Sequence, residues 1–147
     1  MRILIVDDEP AYRLLLRKLL QDEGYEVFDA ADGEEALTKM ARVKIDMIIS
    51  DVYMPVMDGV KLHRTIRGIP GYEHLPFLFV SAYDDDHTRG AVKDPRCEGF
   101  LRKGKPVTLL LDWVAYLATP EDRRGNLPPT EDHSRRRNPE GSDRGRA

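Results

Sequence analysis

The chain has 147 residues, 41% of them hydrophobic and 33% charged, with a net charge of −3. That is enough for one domain with one sizeable core, and it argues against a general binder of nucleic acid or of an anionic membrane. A single cysteine, Cys97, excludes an internal disulfide, and no apolar run approaches the ~20 residues of a membrane helix.

The start, MRILIVDDEP, holds too short an apolar stretch for a signal peptide, so a cytoplasmic protein is expected. Five short apolar runs read as strands: ILIV (3–6), EVFDA (26–30), MIIS (47–50), FLFV (77–80) and GFLR (99–102). The first, third and fourth lack internal alternation, which suits strands buried on both faces of a parallel sheet. Helical periods fill the intervals. PAYRLLLRKLLQDEGY sets Leu15, Leu16, Leu19 and Leu20 on an apolar stripe, with Pro10 in the first turn and Gly24 as the stop. DGEEALTKMARV offers Ala36, Leu37 and Met40, and DGVKLHRTIRG offers Val60, Leu62 and Ile66 before Gly68. DDDHTRGAVKDP is the poorest helix, with Gly90 inside it and Pro95 ending it. PVTLLLDWVAYLA supplies Leu109, Leu110, Trp113, Val114 and Leu117.

Strand followed by helix, five times over, makes an α/β protein with an open, doubly wound parallel sheet and helices on both faces. From about Thr119 the composition changes. Residues 119–147 contain four prolines, three glycines, seven arginines and a single leucine, so the domain is expected to span 1–118 and a disordered tail 119–147. Arg135–Arg137 in that tail form a basic run that nearby acidic residues nearly cancel.

In such a sheet, ligands bind outside the carboxyl ends of the strands. Asp7, Asp8 and Glu9 follow the first strand, Asp51 the third, Ser81 the fourth and Lys103 the fifth. Three crowded carboxylates would tend to stay protonated unless a cation joins them, and oxygen ligands with room for water suit Mg²⁺. A carboxylate facing Mg²⁺ and a lysine can attack phosphorus to give an aspartyl-phosphate, with the cations offsetting charge on the phosphoryl oxygens.

LIVDDEP, IISDVYMPVMDGV, FVSAY and GFLRK together resemble the receiver domain of two-component response regulators, over roughly residues 1–118. The spacing agrees as well, with 30 residues from Asp51 to Ser81 and 22 from Ser81 to Lys103, much as in stand-alone chemotaxis-type receivers. The resemblance implies a flavodoxin-like fold with strand order 2-1-3-4-5. It makes Asp51 the phosphoacceptor for a histidine kinase or phosphotransfer protein. Asp7, Asp8 and Asp51 would be Mg²⁺ ligands, together with the backbone carbonyl of Tyr53. Lys103 would pair with the phosphoryl group, Ser81 would move to bond it, and Phe100 falls at the aromatic switch position. It further implies signalling by altered contacts with an output protein rather than enzyme turnover. The fourth-helix to fifth-helix face is a candidate homodimer surface, and the first helix a kinase-facing one.

One departure stands out. The family's Lys-Pro directly after the fifth strand reads Lys103-Gly104-Lys105-Pro106 here, so Lys103 and Lys105 compete for the site role, and strand register favours Lys103. Phe100 reads equally as fixed core. The rival function is a pseudo-receiver that binds partners without phosphorylation. An aspartate-nucleophile phosphatase fits poorly, because Glu9 stands where a second aspartate would be needed. His63, His74, His87 and His133 show no metal spacing and read as surface residues, and Cys97 as a buried small residue.

Overall fold

A computed structural model describes residues 1–129. In chain order its elements are β1 (Arg2–Val6), α1 (Pro10–Asp22), β2 (Glu26–Ala30), α2 (Gly33–Met40) and β3 (Met47–Asp51). After these come α3 (Gly59–Arg67), β4 (Phe77–Ser81), α4 (Asp86–Arg89), β5 (Glu98–Arg102) and α5 (Val107–Ala118). All strand pairs are parallel, in the order β2-β1-β3-β4-β5. The doubly wound, flavodoxin-like sheet read from the sequence is the sheet observed.

Strand alternation divides the core in two. Ile3, Ile5, Met47, Ile49, Leu78 and Val80 point to one face, where α1 and α5 cover them with Leu16, Leu20, Leu110, Trp113, Val114 and Leu117. Leu4, Val6, Ile48, Phe77 and Phe79 point to the other, under Ala36 and Met40 of α2, Leu62 and Ile66 of α3, and Ala91. Each of the larger of these side chains contributes on the order of 1.5–3 kcal/mol by leaving water, and the alanines less. The helix starts are legible in local chemistry: Asp32, Asp58 and Asp85 each accept a hydrogen bond from a first-turn backbone N–H, and Pro10 opens α1.

Four details differ from expectation. On α1 the core side is Leu16 and Leu20, while Leu15 joins Leu14 on the exposed side. α4 is one turn, Asp86–Arg89, ended at Gly90. β5 begins one residue earlier than read, so that Glu98 lies inside the strand and is buried. His63 is not a surface residue, since it is only 6% exposed. It sits three residues from Val60 and three from Ile66, on the stripe that α3 turns to the core.

The segment expected to be a disordered tail is described as far as Pro129. It forms a 3-10 turn at Glu121–Arg123 and then lies against α5. Arg124 Nε donates to the Thr119 carbonyl at 2.8 Å, its guanidinium stacks over the Tyr116 ring, and Trp113 Nε1 donates to the Pro129 carbonyl at 3.2 Å. The remainder of that expectation, with Arg135–Arg137 and His133, lies outside the described residues.

Candidate functional site

β3 is buried at all five positions, and Asp51 ends it with 8% of its surface exposed. Its Oδ1 accepts from the Val52 N–H at 2.7 Å, and its Oδ2 faces Lys103 Nζ at 3.2 Å. The loop beyond is held tightly: Gly59 N–H donates to the Val52 carbonyl at 2.7 Å, and a Cβ on Gly59 would stand 2.1 Å from the Asp51 carbonyl oxygen. Only glycine permits that approach. Within the loop, Val56 holds φ +70° while 69% exposed, a strained conformation for a β-branched residue.

Asp7 reaches the same place from the end of β1. It is 2% exposed, its Oδ1 accepts from the Glu9 N–H at 2.9 Å, and its Oδ2 pairs with Lys103 Nζ at 2.7 Å. Asp8 is exposed beside it, and Asp7, Asp8 and Asp51 can each bring a carboxylate oxygen to within 4.8 Å of the others. Such a set of hard oxygen donors fits a divalent cation of the Mg²⁺ kind.

Lys103 leaves β5 where the strand ends, with its N–H bonded to the Ser81 carbonyl at 2.8 Å. Gly104, next in the chain, takes φ +90° and turns the backbone away, which lets the extra Gly104-Lys105 pair be accommodated in the turn. The ammonium therefore stays with the carboxylates, 3.6 Å from Glu9 Oε1 and 4.6 Å from the centre of the Tyr12 ring. Burial alone would pull the Lys103 pKa down. The hydrogen bond that the ammonium donates to Asp7 and the charges of Asp51 and Asp7 outweigh it and hold the group at about 12. Burial raises the Asp51 carboxyl above its ordinary value, with Asp7 adding to the rise and Lys103 opposing it. Burial also lifts the Tyr12 hydroxyl to about 12.

Ser81 ends β4, one residue beyond Val80, the partner of Asp51 in the sheet register. It is fully buried, and its Oγ accepts from the Tyr83 N–H at 3.1 Å. Phe100 pairs with Phe79 in register and packs half-buried against the α3 side of the core. Tyr53 turns outward, 38% exposed, with its ring edge-on to Tyr83 at 5.3 Å and tilted to His87 at 5.6 Å. Its hydroxyl bonds Asp85, and that hydrogen bond, first among the causes, holds the Asp85 carboxyl at about 2.

Sequence reasoning thus named the carboxylates, the lysine and the serine. It did not name Tyr12 beneath Lys103 or the Tyr53–Asp85 tie. It also missed a second buried charge cluster at the opposite end of β5. There Glu98 is 3% exposed and its Oε2 meets His63 Nε2 at 2.6 Å and Arg67 Nη2 at 2.7 Å. Its Oε1 accepts from the Lys93 and Asp94 N–H groups at 2.7 and 2.9 Å. A glutamate directly before an apolar strand was the one available signal.

Comparison with known proteins agrees with this geometry. The family model described as "Response regulator receiver domain" matches residues 3–114. The response regulator MprA of Mycolicibacterium vanbaalenii is 37% identical over 127 residues, 84% of this chain, which spans about half (54%) of that relative's length. Among solved structures, chemotaxis protein CheY4 of Vibrio cholerae is 35% identical, with a TM-score of 0.73 over 79% of this chain and 97% of that one. The response regulator TrrA of Thermotoga maritima, solved in complex with Mg²⁺-BeF, is 34% identical, with a TM-score of 0.68 over 79% and 97% of the two chains.

Proposed function

The chain belongs to the response regulator receiver domain family of two-component systems, a family of signalling modules rather than classical enzymes, and we propose that it is switched by phosphorylation of Asp51. The observation that carries this reading is the meeting of Asp51 with Lys103 at 3.2 Å and with Asp7 and Asp8 inside one small acidic pocket.

Receiver domains work with histidine kinases or phosphotransfer proteins on one side and output proteins on the other. In this chain a phosphohistidine would lose its phosphoryl group to an Asp51 carboxylate oxygen: the P–N bond breaks as the P–O bond forms, and the histidine ring keeps the electron pair. Asp7 and Asp8, with Asp51 and the carbonyl of Tyr53, would hold Mg²⁺. When bound, that ion would neutralise charge on the transferring phosphoryl oxygens. Lys103 then needs to move little, because its ammonium already stands at the acceptor, and such preorganised charge is an efficient source of stabilisation. The Ser81 hydroxyl would exchange its bond with the Tyr83 N–H for one to the new phosphoryl group, drawing on the loop that leads to α4. Phe100, on the neighbouring strand, would be the side chain that responds. No helix among the described residues is long and apolar enough to cross a membrane. Partner contact would use the Leu14–Leu15 side of α1 for the donor and the α4–α5 face for the output or a second copy.

Incubation with acetyl phosphate and Mg²⁺, followed by intact mass, tests this. One added phosphoryl group, absent in Asp51→Asn, is expected. An unmodified parent chain that also fails to respond to beryllofluoride with Mg²⁺ overturns the reading in favour of a phosphorylation-independent binding module.

A further inference from the structure

The cluster at the foot of the sheet, remote from Asp51 along β5, has a different chemistry from the pocket at the top. His74 lies in the loop between α3 and β4, and Asp94 and Cys97 lie in the turn that enters β5. One ligand atom from each, an imidazole nitrogen, a carboxylate oxygen and the sulfur, come within 4.8 Å of one another. We propose that His74, Asp94 and Cys97 form a second metal site, selective for Zn²⁺ over Mg²⁺, which staples these two loops together.

The donor set makes the selection. Mg²⁺ takes oxygen ligands and holds water tightly, as the Asp7–Asp8–Asp51 pocket allows, whereas mixed nitrogen, oxygen and thiolate donors suit Zn²⁺. Zn²⁺ bonds of about 2.0–2.3 Å place tetrahedral ligands roughly 3.3–3.8 Å apart, so the three groups need to close by about 1.5 Å at most. Asp94 and Cys97 are brought together by the turn itself, in which the Cys97 N–H donates to the Asp94 carbonyl at 3.1 Å. His74 is exposed and on a loop, free to supply the remaining movement.

Two further groups orient these ligands, as outer partners commonly do in metal sites. Arg96 grips Asp94 through Nε and Nη2, each at 3.0 Å, and with the Arg96 N–H this leaves one acceptor position on Oδ2. Arg67 Nη2 stands 3.7 Å from Cys97 Sγ, where it would support a thiolate. Burial raises the Cys97 thiol above its ordinary value, so the group is not a free nucleophile at neutral pH. On metal binding the S–H proton passes to solvent as the Zn–S bond forms. Arg67 is paired with Glu98 and Arg96 with Asp94, so two of the nearby guanidiniums are already neutralised. Glu121 and Arg124 line the same cavity of about 320 Å³ as the three ligands, so Glu121 or water is at hand for a fourth position.

Cobalt is the probe, added to the full chain with excess Mg²⁺ and a non-thiol reductant. Because Cys97 is the only cysteine, a thiolate-to-cobalt charge-transfer band reports this site and not the Asp51 pocket. The band is expected in the parent chain, bleached by Zn²⁺ and absent in Cys97→Ser. In His74→Ala and Asp94→Asn the cobalt affinity is expected to fall at least tenfold. His74→Ala alters only an exposed side chain, so a circular dichroism spectrum matching the parent excludes unfolding as the cause. No band up to millimolar cobalt, or a band whose affinity His74→Ala leaves unchanged, overturns the proposal. Neither result bears on phosphorylation of Asp51, which shares no residue with this site.

Discussion

Replacing Glu98 by glutamine keeps the side chain's volume and removes its charge, at a position where the parent carboxylate is surrounded by donors. Oε2 meets His63 and both Nε and Nη2 of Arg67, and Oε1 takes two backbone N–H groups. Burial alone would raise the carboxyl, but His63, the Asp94 and Lys93 amides and Arg67 outweigh it and hold the pKa at about 2, against 4.5 for the unperturbed group. That depression corresponds to about 3 kcal/mol of folding stability at neutral pH. The usual cost of breaking a buried pair from one side, about 3–5 kcal/mol, points the same way. In Glu98→Gln one amide NH₂ would also face a donor. We therefore expect urea unfolding at pH 7 to show a loss of about 3–5 kcal/mol. The sign of the pH dependence follows from the depressed value: the contribution is full above about 4.5 and disappears as the pH falls toward 2. The gap between parent and variant should therefore be roughly 2 kcal/mol smaller at pH 3 than at pH 7. A gap below about 1 kcal/mol at pH 7, or one that is equal at the two pH values, would refute the account of Glu98 as a buried, donor-held anion.

Gly59→Ala sets a methyl group 2.1 Å from the Asp51 carbonyl oxygen and should cost about 2–4 kcal/mol in urea unfolding, with slower labelling of Asp51 by acetyl phosphate. Lys103→Met removes an ammonium lying 2.7 Å from Asp7 and 3.2 Å from Asp51. Calorimetric titration should show Mg²⁺ binding at least ~tenfold tighter while labelling by acetyl phosphate falls, and unchanged Mg²⁺ affinity would contradict the assigned geometry. Arg124→Ala loosens the segment laid against α5. Acrylamide quenching of Trp113, the only tryptophan, should become markedly easier, with a stability loss near ~1 kcal/mol.

What the sequence disclosed and what it withheld divide along physical lines. Strands buried on both faces write themselves as unbroken apolar runs, so the places of Asp7, Asp8, Asp51, Ser81 and Lys103 at the ends of β1, β3, β4 and β5 could be read from the sequence. His63 and Glu98 could not, because each looks ordinary until the other is brought next to it across 35 residues. Leu15 was assigned to the core stripe because consecutive leucines leave the phase of a helix ambiguous. Residues 119–129 have the composition of a solvated tail, yet one arginine and one indole N–H suffice to fix their path over α5. Tyr12 was hidden for another reason: a ring that supports an ammonium carries no signature that separates it from a core tyrosine.

The span between Asp85 and Asp94 packs Thr88 and Ala91 inward and is tied at its two ends by contacts of very unequal kind. At Asp85 the tie is a single exposed tyrosine hydroxyl, and at Lys93 and Asp94 it is a buried carboxylate that also grips α3. A span anchored in that way would yield first at its exposed end, while the end fixed by Glu98 would stay with α3. The weaker tie lies at the Asp51 end of the sheet, close to Ser81, and the stronger one at the far end. Under the proposed phosphorylation of Asp51, loss of the Tyr53–Asp85 hydrogen bond would therefore release the start of the short α4 turn before its end.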